Sequence, residues 1–192
     1  LPDIDWVEAR LSEQGQEHLF MIRDGDEILD AALAARDYKI IDPVTLYLCE
    51  TTPLRPASLP RAQSYCIWEP LHIMREIWAV GGIRDRRIAL MHRVQTPKTA
   101  LLARSGDSPA GVGFLALDGE IAMLHAVEVL PAFRRTGVAK KLMAQAAKWA
   151  EDHGAKYVAL MTTRDNQAAN RLYSSLGMRP VGHYHYRIKD TT

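Results

Sequence analysis

The residues Arg134-Arg-Thr-Gly137-Val-Ala139 stand where an apolar strand gives way to an amphipathic helix, a junction whose chemistry is anion binding. The first N–H groups of a helix have no partner inside it, and aligned peptide dipoles add partial positive charge there. Gly137 has no Cβ to hold a phosphate away from the backbone, and Ala139 is nearly as small. Arg134, Arg135, Lys140 and Lys141 bracket the turn with more cationic charge than a helix start usually carries. The arrangement suits a pyrophosphate. Two further residues could move protons: His125, on the strand before the turn, and Tyr173, on a later short helix.

The elements that must position these groups follow from the pattern. Val127, Val129 and Leu130 close a largely apolar run from Ile121 that reads as a buried strand, and Pro131 ends it because proline cannot donate to a ladder. A helix begins near Thr136 or Gly137 and runs to about 153. Its inner stripe is Val138, Leu142, Met143, Ala146 and Trp149, with Lys140, Lys141, Gln145 and Lys148 on the wet side. Tyr157 to Thr162 reads as a buried strand and 166–176 as a short helix that Gly177 caps.

The order Arg134-x-x-Gly137-x-Ala139, after a strand ending in Val-x-Pro, resembles the acyl-coenzyme A signature of the GNAT acetyltransferase superfamily. Asn166-Gln-Ala-Ala-Asn-Arg-Leu-Tyr173-Ser-Ser-Leu-Gly177-Met resembles that family's later motif. The resemblance covers about 64–188. The resemblance implies an α/β GNAT fold, a mixed and mostly antiparallel sheet flanked by helices. It also implies acetyl-coenzyme A as cosubstrate, a primary amine as acceptor, and no metal.

By the same resemblance the coenzyme A phosphates belong to Arg134, Arg135, Thr136, Gly137, Val138, Ala139 and Lys140. The pantetheine arm would pair with the free backbone of Val127 and Val129, as an added strand pairs. Tyr173 corresponds to the family's general acid: a phenol of reference pKa about 10 stays protonated near neutrality and can assist a departing thiolate. Asn166 is read as a cofactor contact, and it is also a plain N-cap. For the base, His125 lies two residues before Val127, so the two share a face by strand period unless a bulge intervenes, while Glu128 faces the other way. An imidazole suits the task, and a hydrogen-bonded structural histidine is the alternative. The family position two residues earlier, often His or Glu, is Met123 here.

The rest of the chain supplies frame. Residues 6–15 carry a helical pattern, His18 to Arg23 a strand, Asp24-Gly25-Asp26 a turn, then a helix with Ile28, Leu29, Ala32 and Leu33 inward, and Tyr38 to Cys49 an extended run interrupted at Asp42. This strand, helix and strand recur later: the offset of 140 residues that carries Met21 to Met161 also carries Phe20 to Leu160, Tyr38 to Met178 and Ile41 to Val181. Residues 1–55 therefore read as a partial, inactive GNAT-like unit and 56–192 as the catalytic domain, with the proline-rich Thr51 to Arg61 as linker. Gln63 to Trp68 reads as a strand. Helices over 70–80 and 84–92 match the pair that covers the acceptor site in the family, and Trp68, Glu69, Glu76, Trp78 and Asp85 lie in that region. Strands 98–104 and 111–117 and the hairpin Asp118-Gly119 complete a meander.

Composition sets the remaining bounds. The chain has 192 residues, 47% hydrophobic, enough for a proper core. A net charge of +1 offers no global field toward nucleic acid or an anionic membrane. Cys49 and Cys66 give no disulfide framework, which fits a reducing, cytoplasmic setting, and no apolar run approaches the roughly 18 residues of a membrane span. Neither cysteine sits in a motif for a covalent acetyl-enzyme, so the amine is expected to attack directly in a ternary complex. His183 and His185 project from one strand face without a third ligand placed by sequence, which argues against a metal site. A homodimer is compatible with all of this. The rival reading is a non-catalytic acyl-coenzyme A binding or regulatory module.

Overall fold

Eight segments are strands and seven are α-helices among the residues that the computed structural model describes, 3–54 and 63–189. They group into two compact units that do not follow chain order. One comprises 1–47, 162–171 and 180–192; the other 48–161 and 172–179.

In the first unit, helix α1 (Ile4–Glu13) starts where the Asp3 carboxylate accepts from the Trp6 N–H at 3.1 Å. Strand β1 (His18–Arg23) pairs antiparallel with β8 (Arg179–Lys189), in register His18↔Lys189 to Arg23↔Tyr184, and β8 lies next to β2 (Lys39–Glu50). Helix α2 (Glu27–Ala34) places Leu33 in a small core with Ile4, Ile22 and Tyr38. Asp42 does not end the strand, which runs unbroken from Lys39 to Glu50. It takes φ 46° within β2, a conformation that Asp tolerates better than most residues.

The second unit carries the sheet order β7-β6-β5-β4-β3. Strands β3 (Ser64–Ile67), β4 (Lys98–Ser105), β5 (Ser108–Asp118) and β6 (Ile121–Val129) form an antiparallel meander, and β7 (Tyr157–Thr163) pairs parallel to β6. The expected connection 105–110 is only Gly106-Asp107, because β5 begins at Ser108. Both faces of this sheet are covered. Ala100, Leu102, Val112 and Phe114 pack with Met74, Ile77 and Trp78 of α4 (His72–Val80) and with Ile88 and Met91 of α5 (Asp85–Arg93). Alternate residues Leu101, Leu115 and Leu124 are equally buried on the other face, and α6 (Val138–Asp152), with Leu142, Met143 and Ala146 fully inside, packs against β3 to β6.

Of the expected linker, Thr51–Leu54 forms a short helix, α3, with Thr51 and Leu54 buried, and 55–61 lie outside the described residues. The 140-residue offset carries backbone geometry as well as sequence. Helix α7 (Gln167–Ser175) begins 140 residues after α2, and the Tyr38 N–H donates to the Leu33 carbonyl at 3.1 Å as the Met178 N–H donates to that of Tyr173 at 3.1 Å. The residues that turn the chain there, Asp37 and Gly177, have φ 66° and 78°.

Candidate active site

The ladder between β6 and β7 runs from Ile121↔Tyr157 to Leu124↔Leu160 and ends there. Two residues on, Ala126 takes φ 51° and β6 bulges against β5: Phe114 opposes His125 and Val112 opposes Glu128, so three β6 steps span two on β5. The bulge corrects the expectation drawn from strand period. His125 shares the face of Phe114 and Val112, the face covered by α4 and α5, and Glu128 shares it too. Val127 turns to the opposite face, where its Cγ2 approaches Gly113 beside Leu124 and Leu101. Past the bulge the strand has left its parallel partner, and an extended arm could lie along that edge.

Beyond β6 a 3-10 turn, Pro131–Phe133, leads into a tight reversal in which Arg135 and Gly137 both have positive φ, 64° and 87°. The helix then starts at Val138 with Gly137 as N-cap and no side chain capping it. The first intrahelical bond there is Lys141 N–H to Gly137 carbonyl at 3.1 Å, so the N–H groups of Val138, Ala139 and Lys140 remain for an external acceptor. Apart from Gly137 itself and its two chain neighbours, no atom of the described residues lies within 4 Å of where a Gly137 Cβ would stand. This open, uncapped, cationic helix start fits a phosphate group.

The side chains around it divide. Arg135 and Lys140 are exposed without a hydrogen-bond or ion-pair partner among the described residues. Thr136 Oγ1 donates to the Phe133 carbonyl at 2.7 Å and tightens the turn. Val138 is core, 1% exposed, so any contact it makes with a ligand is through its N–H. Arg134 folds back, Nε donating to the Val129 carbonyl at 3.1 Å and Nη2 to Glu128 Oε1 at 3.3 Å. Lys141 does not join the turn, because its Nζ donates to the Arg104 carbonyl at 3.0 Å.

His125 is half-buried, makes no hydrogen bond among the described residues, and lines a cavity of about 150 Å3 with Arg87, Leu90, Met91, Val94 and Phe114. Burial first and the Arg87 guanidinium second hold its pKa below the ordinary imidazole value, which leaves the ring neutral and able to accept a proton at neutrality. Tyr173 is 6% exposed on α7, and burial pushes its phenol up to about 12, so it is a donor at any physiological pH. Asn166 belongs to the first unit, where its Oδ1 caps α7 by accepting from the Ala169 N–H at 3.1 Å.

Sequence reading overlooked the cavity wall. Arg87, Leu90 and Val94 carry no motif, and only the helical period of α5, which sends 87, 90, 91 and 94 to one side, could have grouped them with His125. Of the residues noted instead, Trp68 packs against Phe114 of the cavity wall with ring centroids 5.8 Å apart, Trp78 is fully buried in the core and Glu76 pairs with His72 at 3.3 Å, and none of these, nor Asp85, lines the cavity. Both cysteines are poor nucleophiles, since burial raises each thiol pKa. His185 Nε2 bonds Asp30 Oδ1 at 2.8 Å, and Arg187 holds the same carboxylate through Nε at 2.7 Å, which lowers the Asp30 pKa to about 2.

Comparison with known proteins identifies the family. A family model described as the acetyltransferase (GNAT) family matches residues 65–178. The uncharacterized N-acetyltransferase YobR of Bacillus subtilis is 26% identical over 168 residues, 84% of this chain and 68% of that protein. An aminoglycoside N(6')-acetyltransferase type 1 of Salmonella typhimurium is 33% identical over 57 residues, 30% of this chain and 39% of that protein. The structure of a GCN5-related N-acetyltransferase from Kribbella flavida shares the fold with a TM-score of 0.76 at 17% identity, over 98% of this chain and 74% of that one. Fold and relatives together define an acetyltransferase. The chain belongs to the GNAT family, whose members generally use acetyl-coenzyme A as cosubstrate.

Proposed function

We propose that the protein moves an acetyl group from acetyl-coenzyme A to a primary amine, on a small molecule or a peptide, by direct attack in a ternary complex. The observation that carries this reading is His125: a neutral imidazole without a hydrogen-bond partner among the described residues, facing a cavity beside the bulge where β6 has parted from β7. The N–H groups of Val138, Ala139 and Lys140, with Arg134, Arg135, Thr136 and Gly137, hold the phosphates, and the edges of Val127 and Val129 hold the arm. Acetyl-coenzyme A supplies the thioester, whose C–S bond breaks as the C–N bond forms. His125 takes the first proton of the acceptor ammonium and passes it to solvent, while Tyr173 gives its hydroxyl proton to the departing sulfur and regains one from the second proton, which the nitrogen sheds as the amide forms. Neither raised-pKa cysteine offers a thiolate for a covalent route. The first 55 residues are a degenerate copy of the same unit, with Leu33 where the later helix has Tyr173; their likeness in hydrogen-bond pattern supports this.

Initial-rate kinetics of thiol release test the reading. Release that requires an amine, with double-reciprocal lines that intersect when both substrates are varied, is expected. Parallel lines would replace direct attack by an acetyl-enzyme, and tight acetyl-coenzyme A binding without turnover on amines, peptides or aminoglycosides would leave a binding module.

A further inference from the structure

The cavity beside His125 has a chemical character that narrows the acceptor, provided it is the acceptor site as proposed above. Four of its six lining residues, Leu90, Met91, Val94 and Phe114, are apolar, and the one permanent charge is the Arg87 guanidinium. Its volume of about 150 Å3 is that of an apolar cavity able to admit a benzene-sized group. Helix α5 with its N-cap carries Arg84, Arg86, Arg87 and Arg93 against a single acid, Asp85, and none of the four arginines has an ion-pair partner among the described residues. In a chain of net charge +1 this is a local concentration of positive charge on the helix that supplies Arg87 to the cavity wall. A polycationic acceptor would meet like charge there, and nothing on the cavity wall is a carboxylate that could offset it.

We infer that the acceptor is an apolar α-amino acid or its close analogue, with its amine at His125, its carboxylate on Arg87 and its side chain among Leu90, Met91, Val94 and Phe114. Three features of one small molecule thus meet three chemically distinct walls. A guanidinium answers a carboxylate with paired hydrogen bonds, which a decarboxylated amine cannot return. The apolar wall adds burial without direction, so leucine, methionine and phenylalanine side chains are accepted in a graded order set by fit.

Leucine and 3-methylbutylamine differ only in the carboxylate, and kanamycin represents the polycations. With saturating acetyl-coenzyme A, kcat/KM for leucine is expected to exceed that for 3-methylbutylamine by roughly ten- to a hundredfold, the range for a charge-assisted contact. Arg87→Ala should collapse that ratio toward one, mainly through KM for leucine, whereas Arg86→Ala, off the cavity wall, should preserve it. Met91→Ala should penalise leucine and 3-methylbutylamine alike. If amines are acetylated but 3-methylbutylamine or kanamycin is preferred, or Arg87→Ala keeps the ratio, the inference is overturned while the transferase reading stands. If acetyl-coenzyme A binds by calorimetry and no acceptor of any class is acetylated, both fall.

Discussion

Trp78 donates its indole N–H to the carbonyl of Ala126 at 2.7 Å, and Ala126 is the residue whose φ of 51° makes the bulge in β6. The contact ties a fully buried ring on α4 to the point where the strand changes face. A residue other than glycine at positive φ stores strain that its surroundings must offset, and this hydrogen bond is one such surrounding.

Replacing Trp78 by Phe should therefore act on both stability and turnover. The Ala126 carbonyl loses its donor and the smaller ring leaves room in the core, so urea unfolding is expected to show a loss of about 2 kcal/mol or more. Turnover should fall further than the fraction of folded enzyme, because His125 adjoins the bulge. A variant that unfolds earlier yet keeps full kcat when folded would detach the bulge from the chemistry.

At the phosphate turn, Gly137→Glu puts a side chain and a negative charge where, beyond the adjoining residues of the chain, no atom of the described residues lies within 4 Å of the Cβ position. With φ at 87° the backbone cost is about 1–2 kcal/mol for an ordinary residue, and Gly137→Asn serves as the conformational control because Asn tolerates this region. Calorimetric affinity for acetyl-coenzyme A should drop more than tenfold in the Glu variant and much less in the Asn variant. Equal affinities would take the phosphate away from this helix start.

How far the sequence reaches is clearest in these two places. Gly137 at the turn, the Asn166 cap and Gly177 at the end of α7 are local devices, written in residue types that favour them, and each stands where the pattern puts it. The bulge at Ala126 is a tertiary device. Alanine does not favour positive φ, so period-two reasoning sent His125 and Glu128 to opposite faces when both lie on one. Lys141 was likewise misplaced because its reach to the Arg104 carbonyl depends on how α6 lies on β4. Strand partners separated by most of the chain, such as His18 and Lys189, leave no mark in either segment, and so the discontinuous make-up of the first unit was invisible.

Tyr173→Phe keeps the ring and removes the hydroxyl. Since burial holds the phenol protonated, its pKa up to about 12, the loss should be felt in catalysis at every working pH without a new limb in the profile. A fall in kcat of about 10²-fold with little change in KM for acetyl-coenzyme A is expected. Thermal melting of the variant guards against a packing explanation, and full activity would return Tyr173 to the core.

Burial and the Arg87 guanidinium both disfavour the His125 imidazolium, so the neutral base persists to a lower pH than the ordinary imidazole value of 6.5 would allow. Leu90, Met91, Val94 and Phe114 around it carry no charge that could counter this. The acidic limb of kcat/KM should thus lie below that of free imidazole, and Arg87→Ala should move it upward by removing the repulsion. His125→Ala should abolish the limb and lower turnover while leaving acetyl-coenzyme A affinity largely intact. The same shift has a stability consequence: the unfolded chain binds this proton more readily than the folded one, so the folded state loses stability as pH falls through the unfolded pKa, a loss that His125→Ala removes. If the limb stays in His125→Ala and shifts only in Glu128→Gln, the proton leaves through Glu128 on the same face of the bulged strand, and His125 is a bystander.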